Sequence, residues 1–379
     1  MKLEELKKYK KILILGYGKE GRASEEYLKT YLPQAMVDHA DVLDGDDYLD
    51  RQKQYDLVIK TPGIPKRNVT VPYTTATNIF FANCEFPVIG VTGSKGKSTT
   101  SSLIYHILKS AHKSVHLVGN IGNPALHELL DLKGKNHIFV MELSSYQLDD
   151  IAYSPYISVI LNIFPEHMNY HGTVESYYQA KHRVIAHAGK DSFFFYHPKY
   201  PKLIEWAKNA SCIALPYLPH DIPVSDQDLL LKGNHNKENI QSALCVADVY
   251  HIPQEIIIHA LKTFQPLHHR LENIGTYKDI TFYDDAISTT PESTIAALTA
   301  LAHFDTIFLG GQDRGYDFST LADIIIEKGI NNIVLFPDSG QKIYARLLDK
   351  NYTAVNMLQS SSIEEAVRFA YKHTKKKGI

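Results

Sequence analysis

The residues best equipped for chemistry lie in one stretch, Gly93-Ser94-Lys95-Gly96-Lys97-Ser98-Thr99. Its glycines let backbone N–H groups turn inward, and a helix start adds a positive end; together these suit phosphate oxygens. Lys97 brings a point charge for the outer phosphates, and Ser98 a hydroxyl suited to Mg²⁺. An apolar run, Val88 to Val91, precedes the turn. An apolar helical face follows it, with Leu103, Ile104, Ile107, Leu108 and Ala111. Strand, glycine turn with Gly-Lys-Ser, then helix is the context a phosphate-binding loop requires. The loop is a variant, because Val91 stands where the strict pattern has its first glycine. The alternative is an ordinary glycine-rich β-to-α turn, which would not require Gly-Lys-Ser at the junction.

Two further groups fall on the same edge. An apolar strand from Ile138 runs into Glu142, and ligands bind at the carboxyl ends of strands in open α/β sheets. Glu142 is therefore a candidate to hold Mg²⁺ beside Ser98. A strand from Ile157 to Ile163 leads to His167, past a third strand end. Lys181 shares a helix with Tyr177 and Ala180, and local pattern gives it no role. Asn234, His235, Asn236 and Asn239 open another helix, where amides suit purine or ribose contacts or simple N-capping.

These groups need a scaffold of alternating strands and helices. Lys11–Leu15 reads as a buried strand. Gly16-Tyr17-Gly18-Lys19-Glu20-Gly21 then matches G-x-G-x-x-G, and a helix follows to about Tyr31. A second strand near Ala35–Val37 would end at Asp38, about where a dinucleotide fold puts an acid on a ribose. NAD is one ligand this would suit, but Leu57 to Pro65 is not a nicotinamide feature. Residues 190–230 read as short strands and turns. From about Leu267 strands are expected near 280–283, 306–309, 332–336 and 354–357, alternating with helices at 291–301, 319–328, 341–348 and 363–373. The fold class is α/β with three domains. Residues 1–84 form a Rossmann-like nucleotide domain, 85–267 a central P-loop ATPase domain, and 268–379 a Rossmann-like C-terminal domain. A further parallel strand is expected after the last helix, so the third domain reads as truncated.

A chain of 379 residues exceeds one ordinary core. Its net charge of −2 implies no general attraction to nucleic acid or anionic membrane. No stretch reaches the ~18 apolar residues of a membrane span, and the charged N-terminus has no signal core. The 3 scattered cysteines fit a reducing cytoplasm and give no metal spacing.

The sequence resembles the Mur ligases, the ATP-dependent amide-forming family of peptidoglycan precursor synthesis. The marks are the Gly93–Thr99 loop, Glu142-Leu143-Ser144-Ser145-Tyr146-Gln147-Leu148, Asn162-Ile163-Phe164-Pro165-Glu166-His167-Met168, Gly233-Asn234-His235-Asn236-Lys237-Glu238-Asn239 and His269-Arg270-Leu271-Glu272. The resemblance runs from about Ile12 to Phe318. It is strongest to glutamate-adding members, in Glu142–Leu148, Gly16–Gly21 and Pro62-Gly63-Ile64-Pro65.

The resemblance implies the substrates ATP, UDP-N-acetylmuramoyl-L-alanine and glutamate, with Mg²⁺ as cofactor and a cytoplasmic monomer as the working form. It implies that Gly93, Ser94, Lys95, Gly96, Lys97, Ser98 and Thr99 hold the phosphates. Ser98 and Glu142 would hold one Mg²⁺. His167 would hold a second, with Lys181 carrying a carbamate. Asn236, Asn239, Arg270 and Asp285 would meet the adenine and ribose side. Gly16, Gly18, Asn120, Ser144 and Gln147 would face the muramoyl-alanine, and Thr289 and Arg314 the glutamate. Where the usual D-glutamate enzyme has Asp-Ser-Lys-Ala-Thr-Asn, this chain has Asp285-Ala286-Ile287-Ser288-Thr289-Thr290. D-glutamate is the expected acceptor and L-glutamate the variant this change suggests. Other readings are another Mur-type or folylpolyglutamate-type ligase, or a nucleotide-binding fragment without turnover.

Overall fold

Near-continuous apolar runs dominate the strands, as expected where helices cover both faces of a parallel sheet. The computed structural model describes residues 1–379 apart from Asp131, Ala302 and Arg314. The chain forms two compact units. One comprises Met1–Asp228 with Glu238–Phe264, the other Leu229–Lys237 with Gln265–Ile379.

The first unit holds two parallel sheets. In one, β1 (Lys11–Leu15), β2 (Met36–Ala40), β3 (Leu57–Lys60) and β4 (Tyr73–Thr75) lie in the order β2-β1-β3-β4. Strand order reverses beside β1, which opens a crevice past Leu15, where the Gly16–Gly21 turn sits. The helix Lys19–Tyr31 follows it.

The other sheet is built from β5 (Val88–Thr92), β6 (Ser114–Gly119), β7 (His137–Glu142), β8 (Ile157–Ile160), β9 (Phe193–Tyr196) and β10 (Ile213–Pro216). Their order is β10-β9-β8-β5-β7-β6. β5 lies inside it, between β7 and β8, and all its residues are buried. The strands that carry the phosphate loop, Glu142 and the approach to His167 are therefore neighbours.

Several expectations are corrected. Asp38 does not end a strand: it pairs with Leu13 inside β2 and accepts from the Tyr55 hydroxyl at 2.7 Å. Residues 190–230 contain a helix, Pro201–Asn209, with proline in its first turn and Leu203 and Trp206 buried. The i, i+3 spacing of those two residues after a proline was the signal for it.

In the second unit β13 (Thr306–Gly311), β14 (Asn332–Asp338) and β15 (Asn356–Gln359) form a parallel sheet in sequential order. Helices Pro291–Ala300, Ser319–Glu327, Ser339–Asp349 and Ile363–His373 alternate with these strands. Leu298, Leu309, Leu321, Ile325, Ile333, Ile343 and Leu347 form its core. The expected strand at 280–283 is half of an antiparallel hairpin, β11 (Glu272–Tyr277) with β12 (Ile280–Asp284). Its tight turn uses Lys278 and Asp279 at φ 51° and 64°. Such turns usually announce themselves with Asn-Gly or Asp-Gly, which is why this one was not legible. Beyond the last helix, Thr281 N–H donates to the Gly378 carbonyl at 3.0 Å, and Asp305 and Thr306 N–H groups donate to that of Ile379 at 3.0 and 3.1 Å.

Candidate active site

The chain leaves β5 through Gly93 at φ 152° and enters the helix Lys97–Ser110 through Gly96 at φ 86°. Gly96 is required there: a Cβ would meet the Asn239 amide oxygen at 2.5 Å, on a backbone conformation that L-residues avoid. Asn239 is buried and so packs against the phosphate loop. The loop is braced from the next strand's exit. Lys95 N–H donates to Asn162 Oδ1 at 2.8 Å, and Asn162 Nδ2 donates to the Lys95 carbonyl at 3.0 Å. Ser94 Oγ donates to the Phe164 carbonyl at 2.8 Å and lies 2.8 Å from the Tyr177 hydroxyl. Ser94 thus braces the loop from inside.

Lys97 Nζ curls over the loop, donating to the Gly93 and Ser94 carbonyls at 3.1 and 3.0 Å. Lys95 Nζ pairs with Glu166 at 2.7 Å. Ser98 and Thr99 open the helix, with Thr99 buried.

Glu142 ends β7 and is buried. Its Oε1 accepts from Asn120 Nδ2 at 2.8 Å. Its Oε2 is buried and has no hydrogen-bond partner among the described residues. A buried carboxylate oxygen without a donor is costly, and a divalent cation would satisfy it.

His167 follows β8 in a left-handed conformation, φ 58°, and packs on Tyr146. Burial lowers its pKa, and Lys97, Lys181 and Lys95 push the same way against Glu166. Imidazole is thereby kept neutral, the form that binds metal. Lys181 lies on the helix Val174–Ala186, fully buried, and donates to the Gly93 carbonyl at 2.9 Å and to Thr92 Oγ1 at 3.3 Å. Burial, with Lys97 nearby, holds its ammonium pKa well below the ordinary value. Burial and a like charge both disfavour the ammonium form of this amine.

The Gly16 turn forms a second locus in this unit. Gly16, at φ 89°, sits against Thr61, whose hydroxyl donates to the Leu15 carbonyl at 2.8 Å. Gly18 caps the Lys19–Tyr31 helix. Asp41, not Asp38, meets the turn, accepting from Tyr17 N–H at 2.6 Å. Asn120 follows β6 and lines a cavity of about 380 Å³ with Gln147. Ser144 caps the short helix Ser145–Leu148 and bonds Gln147 through both its N–H and its hydroxyl.

In the second unit Asp285 accepts from Leu271 N–H at 2.9 Å and from the Ser288 hydroxyl at 2.5 Å. Burial raises its pKa despite these bonds and the charge of Arg270. Asp285 and Thr289 line a cavity of about 740 Å³. Asn236 Nδ2 donates to the Lys232 carbonyl at 2.8 Å. Arg314 lies outside the described residues.

The family model for the Mur ligase middle domain matches residues 91–221, the segment that carries the phosphate loop, Glu142, His167 and Lys181. UDP-N-acetylmuramoylalanine–D-glutamate ligases from Streptococcus pyogenes serotype M4 (strain MGAS10750) and serotype M5 (strain Manfredo) are each 30% identical over 413 aligned residues. Each alignment covers 96% of this chain and 89% of the relative. The chain belongs to the Mur ligase family. It is an enzyme, a ligase of peptidoglycan precursor synthesis. Solved Mur ligases share the fold. The Thermotoga maritima MurF ligase in complex with ADP has a TM-score of 0.64 at 17% identity, covering 97% of this chain and 89% of its own. The UDP-N-acetylmuramate–alanine ligase MurC of the same organism has a TM-score of 0.61 at 16% identity, covering 96% and 98%.

The phosphate loop, Glu142 and His167 stand at or just past the ends of β5, β7 and β8, which are neighbours in the sheet, and Lys181 reaches the loop from the helix Val174–Ala186. Asn162, Glu166 and Tyr177 support them and carried no assigned role in the sequence. Asn162 and Glu166 stand inside the quoted Asn162–Met168 stretch, which was the available signal.

Proposed function

We propose that this Mur ligase joins glutamate, D-glutamate first, to UDP-N-acetylmuramoyl-L-alanine with cleavage of ATP to ADP and phosphate. The observation that carries this is the set around the Gly93–Thr99 loop: half-buried Lys97 over the loop, buried Lys181 beneath it and buried Glu142 with an orphaned oxygen. The identity to D-glutamate ligases supports the choice of acceptor. The working arrangement is a nucleotide-sugar domain over 1–84, an ATPase domain over 85–267 and an amino-acid domain over 268–379, acting as a monomer in the cytoplasm.

A carboxylate cannot be attacked by an amine until one of its oxygens becomes a leaving group. The substrate carboxylate attacks the γ-phosphorus, the bond to ADP breaks, and an acyl phosphate forms. The glutamate amine then attacks the carbonyl carbon, phosphate leaves, and the nitrogen loses a proton. Phosphoryl transfer needs positioning and charge neutralisation more than protein nucleophiles. Lys97 and the loop N–H groups would orient the phosphates. Ser98 and Glu142 would hold one Mg²⁺, and His167 with carbamylated Lys181 a second. The metal would neutralise phosphate charge. Asn239 against Gly96 would face adenine or ribose, as would Asn236, Arg270 and Asp285; Thr289 and Arg314 would face glutamate.

Ile287, 46% exposed where a D-glutamate enzyme has lysine, favours L-glutamate as a second reading. Phosphate release with UDP-N-acetylmuramoyl-L-alanine and each glutamate enantiomer tests both. Release with D-glutamate supports the first, release with L-glutamate alone the second, and no release with either defeats the glutamate assignment.

A further inference from the structure

Two cavities, of about 380 and 400 Å³, flank the start of the Lys19–Tyr31 helix. Asn120 and Gln147 line the first, Asp41 and Thr61 the second, while Lys19, Glu20 and Pro62 line both. A ligand that fills both must pass the helix start. That start carries unsatisfied N–H groups and the positive end of the dipole, and attracts an anion. On the reading above, the ligand is a nucleotide sugar, whose diphosphate joins its nucleoside to its sugar. The diphosphate is the part that belongs at the crossing.

Glu20 stands at that crossing, and as a carboxylate it would repel phosphate. The structure gives it few of the donors a carboxylate needs. Its Oε1 is buried without a hydrogen-bond partner among the described residues. Its Oε2 has only a long contact, 3.4 Å, from Gln147 Nε2. Burial pushes its pKa up to about 7, against the Gln147 hydrogen bond and the charge of Lys60. Lys60, on β3, is itself engaged: Nζ lies 2.8 Å from Asp150 and donates to the Ile64 carbonyl at 3.0 Å. Lys19 precedes Glu20 on its own helix, where Arg22 donates to the Tyr17 carbonyl. On the packed helix Ala125–Leu130, His127 pairs with Glu26 and Glu128 with His116.

We propose that Glu20 binds the diphosphate of the nucleotide sugar as a neutral carboxylic acid, its O–H turned to donate to a phosphate oxygen, so that binding takes up a proton from solvent wherever the free carboxyl is ionised. Gln147 Nε2 supports the other oxygen. The ligand's own diphosphate does not titrate near neutrality, so the proton belongs to the protein.

Titration calorimetry of UDP-N-acetylmuramoyl-L-alanine into the full chain, at pH 7 in buffers of differing ionisation heat, tests this. Wild type is expected to take up about half a proton, and its Kd to rise about tenfold between pH 6 and pH 8, following the free-state titration. Glu20→Gln, which keeps the shape and an N–H donor, is expected to bind with no uptake and a flat pH profile. Glu20→Ala serves if the glutamine variant fails to fold. Uptake persisting in the variant, or a wild-type affinity independent of pH, overturns the proton role while leaving the nucleotide-sugar reading intact. Absence of any binding to wild type overturns both, and is distinguished by that.

Discussion

Lys97 and Lys181 are both lysines and do opposite things. Lys97 remains within reach of the loop carbonyls and of any phosphate seated there. Lys97→Ala is expected to reduce ATP-dependent phosphate release by ~10²–10³-fold while leaving nucleotide-sugar affinity unchanged. Calorimetry beside the phosphate assay checks it, and near-normal turnover would refute the role given to the loop. Lys181 is fully buried with Lys97 as a like-charged neighbour, and its pKa is driven down. On the proposed carbamate role, the deprotonated amine attacks CO₂, forming an N–C bond and releasing a proton. The product would be an anion, which suits a metal where an ammonium would repel one. Lys181→Ala is expected to be nearly inactive and partly restored by short carboxylic acids that fill the space. Activity that stays flat as such acids are added would leave Lys181 a structural residue.

At the scale of elements, the phosphate loop is held more by the strand next door than by its own glycines. Asn162, just past β8, pairs with both the N–H and the carbonyl of Lys95, and Ser94 with the Phe164 backbone. These bonds fix the backbone of the loop, the Ser94 and Lys95 N–H groups included, ahead of the helix start. Asn162→Ala leaves two backbone groups without their partner and is expected to destabilise the protein by ~1–3 kcal/mol. It should raise the KM for ATP more than it lowers kcat, because the loop loses pre-organisation rather than a reacting group. Steady-state kinetics and a denaturant melt measure both, and an unchanged KM would show that Asn162 is not the brace.

At the scale of the whole molecule, the first unit places two parallel sheets in one compact body, and polar contacts, one of them a buried ion pair, tie them. Asp150, after the second sheet's Glu142–Leu148 segment, lies 2.8 Å from Lys60 of β3, off the hydrogen-bonding direction, with both side chains buried. Asn78 Nδ2 donates to the Asp150 carbonyl at 2.8 Å, and Arg67 to that of Tyr170 at 2.9 Å. Removing one partner of a buried pair strands the other charge. Lys60→Met is expected to cost ~3–5 kcal/mol, and Lys60→Met with Asp150→Leu much less. Chemical denaturation of the three proteins decides this; equal stability of wild type and the single variant would mean that Asp150 escapes to water.

The sequence alone determined what is local and periodic. Apolar runs dictated the strands, i, i+3 spacing the helices, and Gly-Lys-Ser after a strand the phosphate loop, because these depend on neighbours a few residues away. Glu142 and His167 were legible as strand-end residues for the same reason. What only tertiary structure decided is which groups share a space. Glu20 reads as an ordinary helix glutamate until Gln147, 127 positions on, lies beside it. Asp41 replaces Asp38 at the Gly16 turn because β2 runs on to Ala40, a boundary the pattern did not mark. Lys181 has no local signature: its lowered basicity comes from burial against β5, whose residues lie some 90 positions earlier. Burial and long-range pairing are properties of the folded chain, and they turn ordinary side chains into chemical ones.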